Sequence, residues 1–448
     1  MDIPLALFFR ISLVLRLQAV VIEPDFDNLF DMKQTDISEY LKSLEKSGIN
    51  LGLGEISAVM GRLGNPQNEY RSILIAGTNG KGSTAAMLSS MLSSAGLKVG
   101  LYTSPHLSDF RERIRVNNVL IDESELAVLV CETRRVSEGK LTYFEFATAM
   151  AFLHFRRRGV DIAVLETGMG GRLDATNLVN PELSIITNIS ADHMEYLGKN
   201  LTQIAREKAG IIKKNGICIT GVRYKPALAV LEETCRLRRS KLLVLRKDMS
   251  VRVKKGGGFD YRGLSKTFHD LRIPLVGSHQ RDNAALALAA VEVLGEKGFL
   301  ISESRIREGL AGTRWEGRLE IMSRSPLVIL DGAHNPAGIS ALLKALAGNF
   351  SYRKLIFVFG VLKDKKYKAM LGRICRAADR VFLTTPASDR ALPPEQAGPI
   401  QAKTVVEKRP ALALQKALLC AGPEDIVCVA GSLYLVAEIR EILAKRKE

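Results

Sequence analysis

The chain has 448 residues with 64 basic against 48 acidic side chains, a formal net charge of +16. That length predicts two or three domains, and a 46% hydrophobic share beside 25% charged residues excludes a disordered or fibrous chain. The positive balance admits nucleic acid, an anionic membrane surface or small polyanions without choosing among them, while six scattered cysteines with no C-x-x-C pair exclude a disulfide framework or zinc ribbon and match a reducing cytoplasm.

Residues 3–22, IPLALFFRISLVLRLQAVVI, resemble a signal or anchor at first sight. Arg10 and Arg16 interrupt the run, Asp2 stands where a basic flank belongs, and no small-x-small cleavage site follows. Residues 1–31 therefore read as an extension, with a credible start at Met32. Asp36 is placed to cap a helix with Glu39 three residues on, and Ile37, Tyr40, Leu41 and Leu44 share one apolar face.

From Arg71 the order is strand (SILIAG), glycine turn (GTNGKGS), helix (TAAMLSSMLSSAG) and strand (KVGLYTS), a βαβ unit. VDIAVLE, LSIITNI and ICITG add buried strands, so a parallel α/β sheet is predicted. The stretch LVLRKDMSVRVKKGGGFDYRG alternates around glycines and predicts appended hairpins, with Lys254, Lys255 and Gly256–Gly258 in a solvated loop. A long helix, DNAALALAAVEVL, precedes a second alternation: PLVILDGAH, KLIFVFGV, DRVFLTT, KTVVE and DIVCVAG are strands with helices between. The predicted architecture is a P-loop-type parallel-sheet domain over 32–312 with a small β appendage, a linker at 313–322, and a Rossmann-like doubly wound domain over 323–448.

Gly77-Thr78-Asn79-Gly80-Lys81-Gly82-Ser83-Thr84 lies between strand and helix, where glycines turn backbone N–H groups toward a polyphosphate. Lys81 can reach the outer phosphates. The loop departs from G-x-x-x-x-G-K-[ST], since three residues separate Gly77 from Lys81 and Gly82 precedes the hydroxyl pair. Glu166 ends an apolar strand at the carboxyl edge of the sheet and is followed by the glycine-rich TGMGGRLDATN, which makes it a candidate for Mg²⁺ held with a nucleotide. His193 lies just past the next strand and is a candidate ligand by position. Spacing alone makes Lys208 a surface helix lysine. Arg111, Arg113 and Arg115 read equally as a basic strand face or as anion clamps over a cleft.

Taken in order, LGNP (63–66), GTNGKGST (77–84), YTSPHL (102–107), FRERIRVN (110–117), ETGMGGRLDATN (166–177) and TNISADH (187–193) resemble the folylpolyglutamate synthase family of Mur-type ATP-dependent ligases. EKAGIIK (207–213), HQRDNAA (279–285), WEGRLE (315–320), LDGAHNP (330–336) and GSLYL (431–435) continue the match, which spans Met32 to Glu448. The resemblance implies that Thr78, Asn79, Gly80, Lys81, Gly82 and Ser83 cradle ATP phosphates and that Ser104, Glu166 and His193 hold Mg²⁺. It implies that Lys208 is carbamylated and serves a second Mg²⁺, and that Asn283, Arg318 and Asp331 contact ATP. Arg113 and His334 fall near the incoming L-glutamate, and Ser432 and Tyr434 close the C-terminal wall.

The run GGRLDATN resembles the bifunctional members, which join glutamate to dihydropteroate as well as to reduced folates. Leu173, Asp174 and Ala175 then match dihydropteroate-contacting positions, with Thr142, Tyr143, Phe144 and Glu145 and with Ile49, Asn50 and Leu51 in the same pocket. An aromatic can stack on a flat pterin while Asp174 accepts its N–H groups. Of Phe144 and Phe146, one is expected in the core. A cytoplasmic monomer is implied, without nucleic-acid or membrane partners.

Two rival readings are weaker. A peptidoglycan-precursor ligase of the same superfamily needs a nucleotide-sugar domain ahead of the phosphate loop, and Gly77 lies too close to Met32 for one. A basic nucleic-acid-binding ATPase needs clustered arginines among aromatic platforms, whereas aromatics are 6% and the basic residues are dispersed.

Overall fold

The computed structural model describes residues 34–45, 48, 50–254, 256–397 and 403–445. Residues 1–31, Met32, Ile49 and Lys255 lie outside the described residues. The first described helix spans Gln34–Glu45, so Asp36 lies two residues inside its described start. Its predicted apolar face is kept: Ile37 and Leu41 are buried, with Tyr40 and Leu44 packed beside them.

Eight strands form the first sheet in the order β4-β3-β2-β5-β1-β6-β7-β8. They are β1 (Arg71–Ala76), β2 (Val99–Tyr102), β3 (Ile114–Val116), β4 (Val119–Leu120), β5 (Ile162–Glu166), β6 (Leu183–Ile186), β7 (Ile217–Thr220) and β8 (Lys241–Val244). Pairing is parallel from β2 through β8 and antiparallel at β2–β3–β4. Central strand β1 shows why such runs need helices on both faces: Leu74 and Ala76 enter one core, Ile73 and Ile75 the other. The helix Lys81–Ser94 is buried on nearly every side, wedged against Ser278–Glu296 and Glu303–Ala311.

The stretch predicted as hairpins divides: Leu243 and Val244 finish β8 of the parallel sheet, whereas β9 (Ser250–Val253) and β10 (Phe259–Arg262) form an antiparallel sheet with β11 (Thr267–Leu271), which lies beyond the predicted stretch. Buried Glu292 of the long helix pins this antiparallel sheet, accepting the Tyr261 hydroxyl at 2.7 Å and the amides of Leu264, Ser265 and Lys266 at 2.8–3.0 Å. The exposed turn keeps Lys254 paired with Asp260 at 3.0 Å.

The second large sheet contains β12 (Glu320–Arg324), β13 (Leu327–Leu330), β14 (Leu355–Phe359), β15 (Arg380–Leu383), β16 (Thr404–Val406) and β17 (Ile426–Ala430), ordered β12-β13-β17-β14-β15-β16. Only β12 runs antiparallel among the described pairs, and β12 follows directly from the WEGRLE segment. Helices again cover both faces with separate cores. All six cysteines are free thiols. Among the described residues, no helix is long and apolar enough to cross a membrane.

Candidate active site

The carboxyl edge of β1 opens into a cavity of about 530 Å³ between the two sheets. Residues 77–83 form its floor. Gly80 has φ +83°, a left-handed turn that L side chains rarely adopt, and a Cβ there would meet the Asn283 amide at 2.5 Å. Gly82 is small for a different reason: a Cβ would lie 2.8 Å from the Trp315 ring and 3.2 Å from Glu166. The inter-domain segment thus packs directly on the phosphate loop, which explains why a glycine replaces the usual hydroxyl after the lysine.

The loop divides into a braced half and a free half. The Thr78 amide donates to Asn188 O and the Asn79 amide to Asn188 Oδ1, both at 3.0 Å. Thr78 Oγ1 bridges to Ser190. Thr78 and Asn79 therefore shape the turn but do not present their amides to a ligand, unlike the implied cradle. The Lys81, Gly82 and Ser83 amides, by contrast, occupy the helix start, where no intrahelical acceptor exists and the dipole favours an anion.

Above the loop, Lys81 Nζ lies 3.7 Å from Glu166 Oε1, and Glu166 Oε2 accepts the Ser104 amide at 3.2 Å. Burial pushes the Glu166 carboxyl up while Lys81 opposes the shift. Lys208 is not the surface lysine that its spacing predicts. It is buried, donates from Nζ to Gly77 O at 2.8 Å, and desolvation with the Lys81 charge pulls it down to about 7. His193 lines the same cavity with a left-handed φ of 48°, and burial followed by Lys365 lowers it to about 4.

The second domain supplies the opposite wall. Arg318 and buried Asp331 reach the cavity, with Asp331 accepting the Leu319 amide at Oδ2 and the Ala333 amide at Oδ1, each at 2.9 Å. Asn283 completes the first-domain side and donates to Gln280 at 3.0 Å. His334 Nδ1 meets Gly332 O at 2.8 Å, and Nε2 faces Asp192 at 3.5 Å. Two residues without an assigned role in the motifs join the domains. Asn335 Nδ2 donates to Asn79 Oδ1 at 2.9 Å and to Asp192 Oδ2 at 3.1 Å, and Lys365 Nζ contacts Asp192 Oδ1 at 2.9 Å. Burial raises the Asp192 carboxyl, but its contacts with His334, Lys365 and His193 hold it well below the usual carboxylate range.

A second cavity of about 320 Å³ adjoins the first and shares Ser104, Pro105, His193 and His334 with it. Thr142, Tyr143, Phe144, Glu145, Leu173, Asp174, Ala175, Asn50 and Leu51 line one side, and Ser432 and Tyr434 the other. Phe146 is the core member of its pair and Phe144 the lining one. Thr142 and Glu145 form a capping box that starts the helix Tyr143–Arg158. That box engages Glu145 Oε2 alone; Oε1 is buried without a hydrogen-bond partner. Asp174 is more occupied, accepting from Thr176 N, Thr176 Oγ1 and Met169 N at 2.5–3.0 Å.

The three arginines separate. Arg111 pairs with Asp109 at 2.6 Å and Glu123 at 3.2 Å, and Arg115 stacks 5.4 Å over Trp315 near Glu316. Only Arg113 lines the second cavity. Its guanidinium lies 5.1 Å over Tyr143, and its Nε donates at 2.8 Å to His106 Nδ1. Burial and the Arg113 charge push His106 down to about 3, so it is a neutral acceptor that orients the clamp.

A phosphate loop closed over by a second α/β domain defines a Mur-type ligase. The Mur ligase middle domain matches residues 75–291, and the Mur ligase glutamate ligase domain matches 317–433. The chain is 36% identical over 424 residues to the dihydrofolate synthase/folylpolyglutamate synthase of Bacillus subtilis, covering 91% of this chain and 98% of that one. Its fold matches Escherichia coli FolC in complex with DHPP and ADP at a TM-score of 0.86 and 33% identity, over 92% of this chain and 98% of that one. The bifunctional folylpolyglutamate synthase/dihydrofolate synthase of Yersinia pestis, complexed with AMPPNP and Mn ion, matches at 0.84 and 30%, over 92% and 98%. The chain belongs to the folylpolyglutamate synthase/dihydrofolate synthase family of ATP-dependent ligases.

Proposed function

We propose that this protein joins L-glutamate both to dihydropteroate and to the γ-carboxylate of reduced folates, with ATP as co-substrate and as a cytoplasmic monomer. The observation that carries the reading is the pair of adjoining cavities, one floored by the phosphate loop and one lined by Phe144, Glu145 and Asp174. A carboxylate is unreactive toward amines in water because its carbonyl is resonance-stabilised. Transfer of the γ-phosphoryl group to it gives an acyl phosphate and ADP. The neutral α-amine of glutamate attacks that carbonyl, the amide forms, and phosphate leaves.

Each residue supports one part of this sequence. Lys81 and the free amides of residues 81–83 stabilise charge on the transferring phosphoryl group. Asn283, Arg318 and Asp331 hold the nucleotide from both domains. Phe144 stacks on the pterin, and the unpartnered Glu145 Oε1 accepts its N–H groups beside Asp174. Arg113 and His334 receive glutamate, and Ser432 and Tyr434 shield the acyl phosphate from water.

A divalent ion fits the donor set: a buried strand-end carboxylate, a hydroxyl and an imidazole from Glu166, Ser104 and His193. Mg²⁺ would complete its coordination there with waters and phosphate oxygens. Bound there, the ion supplies charge neutralisation of the β- and γ-phosphates. Lys208 is suited to carbamylation, because an amine near 7 is largely neutral at cellular pH and can add to CO₂ with loss of one proton. The carbamate nitrogen keeps an N–H for Gly77 O, and its oxygens would serve a second Mg²⁺.

The test is ADP release with dihydropteroate and with a reduced folate, each with and without L-glutamate. Glutamate-dependent release is expected with both. Release that ignores glutamate, or that needs nucleic acid, overturns the reading.

A further inference from the structure

The wall of the second cavity contributed by the C-terminal domain carries Lys365 and Arg390. Their charges are unequally available. Lys365 is buried and neutralised by Asp192 at 2.9 Å and Asp364 at 3.3 Å. Arg113, on the facing wall, is bedded on Tyr143 and tied to His106. Arg390 is exposed, and no carboxylate contacts its guanidinium among the described residues.

The backbone that carries Arg390 is nevertheless fixed. Arg390 O accepts the Lys363 amide at 2.9 Å, Leu362 and Ala391 form a β-bridge, and Leu392 N donates to Val361 O at 2.8 Å. Ala391 and Leu392 beside it are buried. A rigid platform therefore presents an uncompensated planar cation at the rim of a substrate cavity. Guanidinium is the side chain best matched to a carboxylate, through two parallel N–H···O bonds.

We infer that Arg390 binds an α-carboxylate of the glutamyl tail already present on a folate substrate, and so favours chain extension over the first addition. The inference rests on the proposed ligase reading. Dihydropteroate offers a single carboxylate, the one that reacts. A folate carries an additional α-carboxylate for each glutamate, and these are the anions left over for Arg390.

The test compares Arg390→Ala and Arg390→Lys with the unaltered chain, measuring KM and kcat for dihydropteroate, for a reduced folate monoglutamate and for its diglutamate. Arg390→Ala is expected to raise KM for both folates about tenfold, as loss of one charge-assisted pair does, with dihydropteroate kinetics unchanged. Arg390→Lys should restore part of the loss. An equal loss with dihydropteroate, accompanied by a higher KM for L-glutamate, would assign Arg390 to the incoming amino acid and overturn the inference. Unchanged KM for all three substrates would overturn it as well. Dihydropteroate turnover in the same variant reports separately on the ligase reading.

Discussion

The phosphate cavity takes its floor from one unbroken run, residues 77–83, whose first half is braced by Asn188 and Ser190 just past β6. The second cavity is assembled from short pieces near 50, 104–113, 142–145, 168–175 and 431–434, which come from both domains. In the first, the ligand-facing groups are mostly backbone amides held by a rigid turn. In the second they are side chains whose other duties limit them: Thr142 and Asp174 cap helical turns, and Glu145 serves the capping box with one oxygen. A backbone site tolerates sequence change around it but not a change of turn. A side-chain site tunes substrate choice at the expense of local stability.

The sharpest way to break this contrast is Lys81→Ala, which removes the cation carried by the phosphate loop itself. Glutamate-dependent ADP formation should fall by about a thousandfold or more, the scale on which phosphoryl-transfer cations act. Thermal stability should fall as well, because Lys81 is the cation that offsets burial of the Glu166 carboxylate. Retained turnover would remove Lys81 from the phosphate site.

Next in size is the effect of CO₂ on Lys208. Its folded-state value is lowered to about 7, so raising pH from 6 to 8 frees the amine. At a fixed concentration of dissolved CO₂, activity lost on CO₂ depletion should recover faster and more fully at pH 8 than at pH 6. The same sign applies to folding: an amine that titrates near 7 folded and near 10.4 unfolded destabilises the native state when protonated, so its penalty fades as pH rises through that window. Activity indifferent to CO₂ at both pH values would argue for a plain lysine.

These two cavities also mark how far the primary structure could be read. The phosphate loop was legible because its chemistry lies within eight consecutive residues between a strand and a helix. The βαβ order and the buried strands of both sheets were legible from apolar runs, whereas β3, β4, β8 and β12, at or next to the sheet edges, were not. Lys208 was misplaced by spacing because nothing local tells a helix lysine that Gly77 O lies within reach; only the pairing of β1 and β6 brings them together. Asn188, Asn335, Lys365 and Arg390 were missed for the same reason, since each acts across a long sequence separation. The division of labour within residues 110–117 was undecidable too, because Trp315 and Tyr143, which sort Arg115 from Arg113, are tertiary neighbours.

The second cavity is sharpened by Asp174→Asn. An amide keeps one acceptor oxygen but turns the other position into a donor, facing either Met169 N or Thr176 N. Loss of one such bond costs about 1–2 kcal/mol, so Tm should drop by a few degrees. Dihydropteroate turnover should fall more than folate extension, because the tail contacts that help anchor a folate are untouched. Equal losses would mean that Asp174 serves only the turn.

The smallest effect separates the cavities from the latch between the domains. Asn335 does two things at once: Oδ1 caps the helix Pro336–Asn349 through Gly338 N at 2.8 Å, and Nδ2 reaches across to Asn79 and Asp192. Asn335→Ser retains a capping oxygen but is too short to span the interface, whereas Asn335→Ala loses both. The serine variant should keep its Tm while kcat falls roughly three- to tenfold, the size of about one hydrogen bond's net worth. The alanine variant should show the same kcat and a lower Tm, by about the 1 kcal/mol of a lost cap. Closure of the second domain over the phosphate loop would then depend on this reach. A serine variant with full kcat would leave Lys365 and Asp192 as the contact that holds the two cavities together.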